Sequence, residues 1–204
     1  MSLGSDFIKR MQSRFQRDLT DPEQRRLVQD RTVRLFARKL EQAPQKGESL
    51  RQEAYTLLEE LIQEFTALEM DVLEVYQQAF EACPDEIQVL RTIVGLLRSR
   101  DARDREAMGY YRKLSEQEPR NFQLLQILVE CYRLNQDPYS LMIIYEQILE
   151  KFHALEEDVR WGKTPQPPNW EDIVVLHKVS AAALAEMYAE MNRTDEKALN
   201  LYLQ

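Results

Sequence analysis

The residues best able to do chemistry in this chain are few and scattered. Its 204 residues include two histidines, His153 and His177, and two cysteines, Cys83 and Cys131. Zinc needs clustered imidazole and thiolate ligands, and neither histidine has a cysteine or a second histidine at ligand spacing. No metal and no other cofactor is expected. Two isolated cysteines make no disulfide framework, so both read as reduced thiols within helices, in a reducing compartment. Paired carboxylates are common, as in Glu59-Glu60 and Glu156-Glu157-Asp158. They fall on acidic helical surface, where nothing marks a cleft that would raise one pKa for acid–base work. There is no glycine-rich phosphate loop and no nucleophile elbow. Enzyme activity and a small-molecule substrate are therefore not expected.

Charge offers a different chemistry. The formal net charge is -8, unevenly spread: residues 1–46 hold eleven Lys/Arg against six Asp/Glu, and the rest hold sixteen against twenty-nine. Phosphate contact needs local positive charge, so the acidic body argues against nucleic acid as a partner. The basic head keeps a local version open. Arg25, Arg26, Arg31, Arg34, Arg38 and Lys39 fall on one helix with an apolar stripe. Such a helix docks on an anionic membrane surface or an acidic partner. The N-terminus has no continuous apolar run of the secretory kind, and no stretch approaches the length that crosses a bilayer. The chain reads as cytoplasmic. Pro165-x-x-Pro168 lies between Trp161 and Trp170. Proline stretches can fill aromatic grooves, but no Lys or Arg stands at the flanking spacing. The favoured reading is a rigid linker with both tryptophans packed on neighbouring helices.

The elements that must position these groups are helical. Five glycines and a wealth of Glu, Gln, Leu, Arg and Ala favour helix throughout. Ser5 or Asp6 caps a first helix with Phe7, Ile8, Met11, Phe15 and Leu19 on one stripe. Asp21-Pro22-Glu23 stops it and starts a second, which runs to about Leu40 with Leu27, Val28, Leu35, Phe36 and Leu40 apolar. Pro44 and Gly47 then predict a loop over 43–49. Helices follow over 49–65 (Tyr55, Leu58, Leu61, Ile62 and Phe65 inward), 69–82, 85–99, 104–117, 120–134 and 138–152. After a loop at 160–170 come a long helix, 171–191, and another from Asp195. The sequence ends within that helix, which suggests a longer repeat protein.

Three similar phrases recur: VYQQAFEACPDE at 75–86, YYRKLSEQEPRN at 110–121 and, more faintly, IYEQILEKFHAL at 144–155. Tyr76 to Tyr111 and Pro84 to Pro119 are each 35 residues, and Tyr111 to Tyr145 is 34. Two helices and two short turns take about 34 residues. After Pro84 come Ile87, Leu90, Ile93, Val94 and Leu97; after Pro119, at the same offsets, come Phe122, Leu125, Leu128, Val129 and Tyr132. Unrelated amphipathic helices share a period but not a landmark proline.

These residues resemble the tetratricopeptide repeat family over about residues 50–204. In the unit from 87 the matching positions are Leu90, Ile93, Val94, Leu97, Ala107, Tyr111, Leu114 and Pro119. In the unit from 122 they are Leu125, Leu128, Val129, Tyr132, Leu141, Tyr145 and Ile148, with His153 where proline would close the unit. Leu184, Ala185, Tyr188, Ala198 and Tyr202 fill the corresponding roles in the last stretch, and Asn192 stands at a turn where glycine is usual. Val94, Val129, Leu114 and Ile148 are larger than the family prefers, so the repeats are degenerate. The resemblance implies an all-α, right-handed superhelix of antiparallel helix pairs, with residues 1–46 as a basic N-terminal hairpin or cap and 47–204 as the repeat domain. It implies an adaptor or scaffold that holds a peptide or helix of a protein partner in a concave groove. On the family's geometry that groove would present Gln88, Arg91 and Arg98 from one unit and Gln123, Gln126, Glu130 and Arg133 from the next. Amide and guanidinium groups at such spacing serve an extended backbone or a carboxylate, although polar residues also simply cover solvated faces. Gly95 and Ile127 replace the asparagines with which some members grip chaperone tails, so that mode is not expected. Recruitment to a membrane surface or acidic partner through the basic hairpin is the alternative, and homo-oligomerisation stays open.

Overall fold

A computed structural model describes residues 21–46, 48–67 and 71–202; the first predicted helix, the glycine at 47 and the start of the helix predicted from 69 lie outside these. The described residues form nine helices and no strand: α1 (Pro22–Lys46), α2 (Glu48–Ala67), α3 (Val72–Ala82), α4 (Ile87–Ser99), α5 (Arg105–Gln117), α6 (Phe122–Leu134), α7 (Pro138–Arg160), α8 (Trp170–Glu190) and α9 (Glu196–Tyr202). They fall into two compact units, one up to Leu96 and one from Leu97.

In the first unit α1 packs against α2 and α3. Asp21 opens α1 by accepting the Glu23 amide at 3.0 Å, and Pro22 fills the first turn, where its missing N–H costs nothing. The helix does not stop at Leu40 but runs through Pro44 to Lys46. A proline so near the end deprives only the last turns of a hydrogen bond, which helix interiors further in would not tolerate. Val28, Val33 and Phe36 are buried, whereas Leu27 is 56% exposed. Its position, about half a turn from the centre of the buried stripe, puts it on the outer face. The Phe36 ring meets that of Tyr55 edge-on at 5.6 Å, joining α1 to α2. Within α2, Leu58, Leu61 and Phe65 are buried as expected, while Tyr55 and Ile62 are half-buried. Arg51 grips the buried carboxylate of Glu86 through both oxygens at 2.8 Å, tying α2 to the turn before α4.

In the second unit α5 packs on α6, α6 on α7, α7 on α8 and α8 on α9. One turn is built three times. At the ends of α4, α6 and α8, Asp101, Gln136 and Asn192 take positive φ of 52°, 53° and 51°. In each the following amide reaches back five residues, Ala102 to Leu97, Asp137 to Tyr132 and Arg193 to Tyr188, at 2.9–3.0 Å, and the positive-φ residue's own amide reaches back three. This double closure satisfies carbonyls that a helix end otherwise leaves bare. Each following helix is capped alike: Asp104, Asp137 and Asp195 accept the amides of Ala107, Ser140 and Ala198. Two of the units share a further tie, since the Tyr111 and Tyr202 hydroxyls donate to the carbonyls of Ala102 and Arg193. The proline turns also match. Cys83 and Glu118 end α3 and α5 with φ/ψ of -139°/76° and -121°/68°, and each amide returns to a carbonyl four residues back.

Two expectations fail here. α7 does not end near 152 but continues to Arg160. With His153 in place of a proline nothing breaks it, and Leu155 gains a buried position one turn further. Trp161 does not pack on a neighbour: it is 72% exposed, just outside α7. Gly162, at φ 68°, turns the chain there, and Lys163 and Thr164 fold their amides back onto the Asp158 carbonyl, so the indole is left outside. Trp170 does pack, its ring 5.6 Å from Phe152.

Candidate partner groove

The heptad-like pattern of α6 divides its residues cleanly. Phe122, Leu125, Leu128, Val129 and Tyr132 are buried, and Gln123, Gln126, Glu130 and Arg133 face outward along one side. That side borders an open groove of about 460 Å3, whose other wall is α8 and whose floor includes Tyr145 of α7. α8 contributes Asp172, Val175, Leu176, Val179 and Ser180. Val175 and Val179, one helical turn apart, are 59% and 51% exposed. Large aliphatic side chains left in water side by side lose the stabilisation that burial would give, about 25 cal/mol per Å2. The Ser180 hydroxyl is buried without a hydrogen-bond partner.

The polar groups are not equivalent. Arg133 is fixed by Tyr145, to whose hydroxyl its Nε and Nη2 donate at 3.1 and 2.7 Å. Glu130 pairs with Arg103 at 3.2 Å, and Arg103 also pairs with Asp101 at 2.7 Å, so Glu130 already has a cation. Gln123 and Gln126 stand exposed. Four of the residues named from the sequence thus line one groove. Gln88, Arg91 and Arg98 lie exposed on α4 and do not line it. The α8 wall and Tyr145 were not foreseen. An apolar pair at i and i+4 on a helix already rich in apolar residues carried the signal.

On α1, Arg31, Arg34 and Arg38 are exposed at spacings that share a face. Arg25 is half-buried, and Lys39 is held by Glu53 at 2.7 Å. A larger hollow of about 640 Å3 lies among Ile143, His153, Tyr188 and Lys197. Of its two carboxylates, Glu146 is engaged: it accepts from the Tyr188 hydroxyl and pairs with Arg193 at 3.8 Å.

The two histidines, distant in sequence, meet where α7 packs on α8. Their rings are 5.3 Å apart, and His177 stacks on Phe152 at 4.1 Å. Burial, then the neighbouring His153, hold the His177 pKa below its ordinary value. Among the described residues no three His, Cys, Asp or Glu side chains are placed to hold a metal ion. Burial pushes the Cys131 thiol up to about 11, which keeps it protonated and unreactive. Among the described residues no helix is long and apolar enough to cross a membrane. No protein-family model, curated protein or solved structure matches the chain.

Proposed function

We infer that this chain is a protein-interaction adaptor built of tetratricopeptide-like helix pairs, and that the α6–α8 groove holds a segment of its partner. The observation that carries this reading is the exposed Val175–Val179 pair, set across the groove from the outward row of Gln123, Gln126 and Arg133, with Arg133 already fixed by Tyr145. The three identical helix-end turns and caps support the family likeness without an appeal to sequence consensus. The groove offers donors, acceptors and apolar surface, which suits recognition of a polypeptide.

The test is quantitative capture of proteins from an extract of the source cell on wild-type chain and on Val175→Ser with Val179→Ser. Truncating two aliphatic anchors should weaken a specific partner roughly tenfold to a hundredfold, while the helical circular dichroism spectrum stays unchanged. Equal retention by wild type and variant overturns the reading. A second reading rests on the common face of Arg31, Arg34 and Arg38. In it α1 docks on an anionic surface, and reversal of these three charges, not of the groove, abolishes sedimentation with phosphatidylserine vesicles.

A further inference from the structure

The groove carries a carboxylate at one end and a guanidinium at the other. Phe122, Gln123 and Asn169 line one shared recess, so the N-terminal ends of α6 and α8 meet there. Asp172 stands in the first turn of α8, at that end, and lines the groove. Arg133 stands in the last turn of α6, at the other end. Among the described residues neither Asp172 nor Arg133 has an ion-pair partner. Arg133 donates to a neutral phenol through its Nε–Nη2 edge. The terminal edge, an Nη1–H beside the second Nη2–H, keeps a fork geometry that suits a carboxylate. Glu130, one turn earlier, is drawn off by Arg103 at 3.2 Å. Between the charged ends lie Val175, Leu176 and Val179.

Spacing and hydrogen bonding describe the occupant. From Gln123 to Arg133 the helix rises about 15 Å at about 1.5 Å per residue, which an extended chain spans in about five residues. Val175 and Val179 are separated by about 6 Å of helix rise, close to the roughly 7 Å between alternate side chains of an extended strand. An extended ligand also needs partners for its backbone N–H and C=O groups, as a helical one does not, and the exposed amides of Gln123 and Gln126 can supply them. We propose that the groove selects an extended bipolar segment of a protein partner: a basic side chain at Asp172, two aliphatic side chains at alternate positions over Val175 and Val179, and an acidic side chain at Arg133. This rests on the adaptor reading and deepens it. It also makes binding directional, because a segment with like charges at both ends repels one end of the site.

A random-peptide library displayed on phage, selected on the full chain and on variants with unchanged circular dichroism, tests this. Wild-type chain should enrich peptides with an aliphatic pair flanked by one basic and one acidic residue. Asp172→Lys should exchange the basic preference for an acidic one. Arg133→Glu should exchange the acidic preference for a basic one, and the milder Arg133→Gln should erase it. Against a selected bipolar peptide each reversal should weaken binding by about tenfold or more. Peptides that require Val175 and Val179 but show no charge preference, or preferences that the reversals leave unmoved, overturn the bipolar segment and spare the adaptor. If no enriched peptide depends on Val175 and Val179, both fall.

Discussion

Gln136 occupies a backbone conformation that a side chain resists. At φ 53° it stands where Asn192 stands in the last unit, and only the second is a residue type at ease there. Replacing Gln136 by glycine removes the clash of its Cβ with the carbonyl, while glycine also loses more freedom on folding. The net expectation is a gain of roughly 0.5–1 kcal/mol for Gln136→Gly, and a smaller one for Asn192→Gly. Urea midpoints measure both, and a loss at Gln136 would show that its side chain does something the turn needs. The asparagine turn was legible from residue type alone. The same turn at Gln136 was not, because glutamine does not announce left-handed backbone, and at Asp101 the type is equally suited to a plain polar break. Arg133 was legible as an outward cation, but its fixation by Tyr145 depends on two helices meeting, which spacing within one helix does not reveal.

At the scale of elements, most helices begin and end where local chemistry says they should. Asp104, Asp137 and Asp195 cap as their types predict, and Pro84 and Pro119 close α3 and α5 with matching turns. The misses came where a rule met its neighbourhood. Pro44 lies late enough in α1 to be carried, and α7 had nothing to stop it before Gly162. The packing of α7 on α8 yields a pH dependence. His177 stacks on Phe152, with His153, Glu156 and Lys178 the charged or titratable groups acting on it. Its folded-state pKa lies below the ordinary 6.5. Stability from neutral His177 is therefore fully present above about pH 6.5 and is lost as pH falls through the lowered folded value. The thermal midpoint should drop between pH 7 and pH 5, and His177→Phe, which keeps the stack, should flatten that slope. An unchanged slope in the variant places the dependence elsewhere.

For the whole molecule, repetition is the organising fact. Leu97, Asp101, Asp104, Ala107 and Tyr111 recur at a constant offset as Tyr188, Asn192, Asp195, Ala198 and Tyr202, with the same turn, cap and tyrosine tie. Helix pairs of this kind bury one face against their neighbours and leave another face for a partner. On the proposed reading that face in the second unit is the α6–α8 groove, and the arginine row of α1 is the alternative docking surface. The most direct measurement installs a photo-crosslinking amino acid at Val175, at Arg34 and at Tyr139, which is exposed outside the groove. Each chain is then irradiated with the captured partner, and the adducts are mapped by mass spectrometry. The account predicts one defined partner segment attached at Val175, and no such adduct at Arg34 or Tyr139. Adducts at Arg34 with none at Val175 would contradict it.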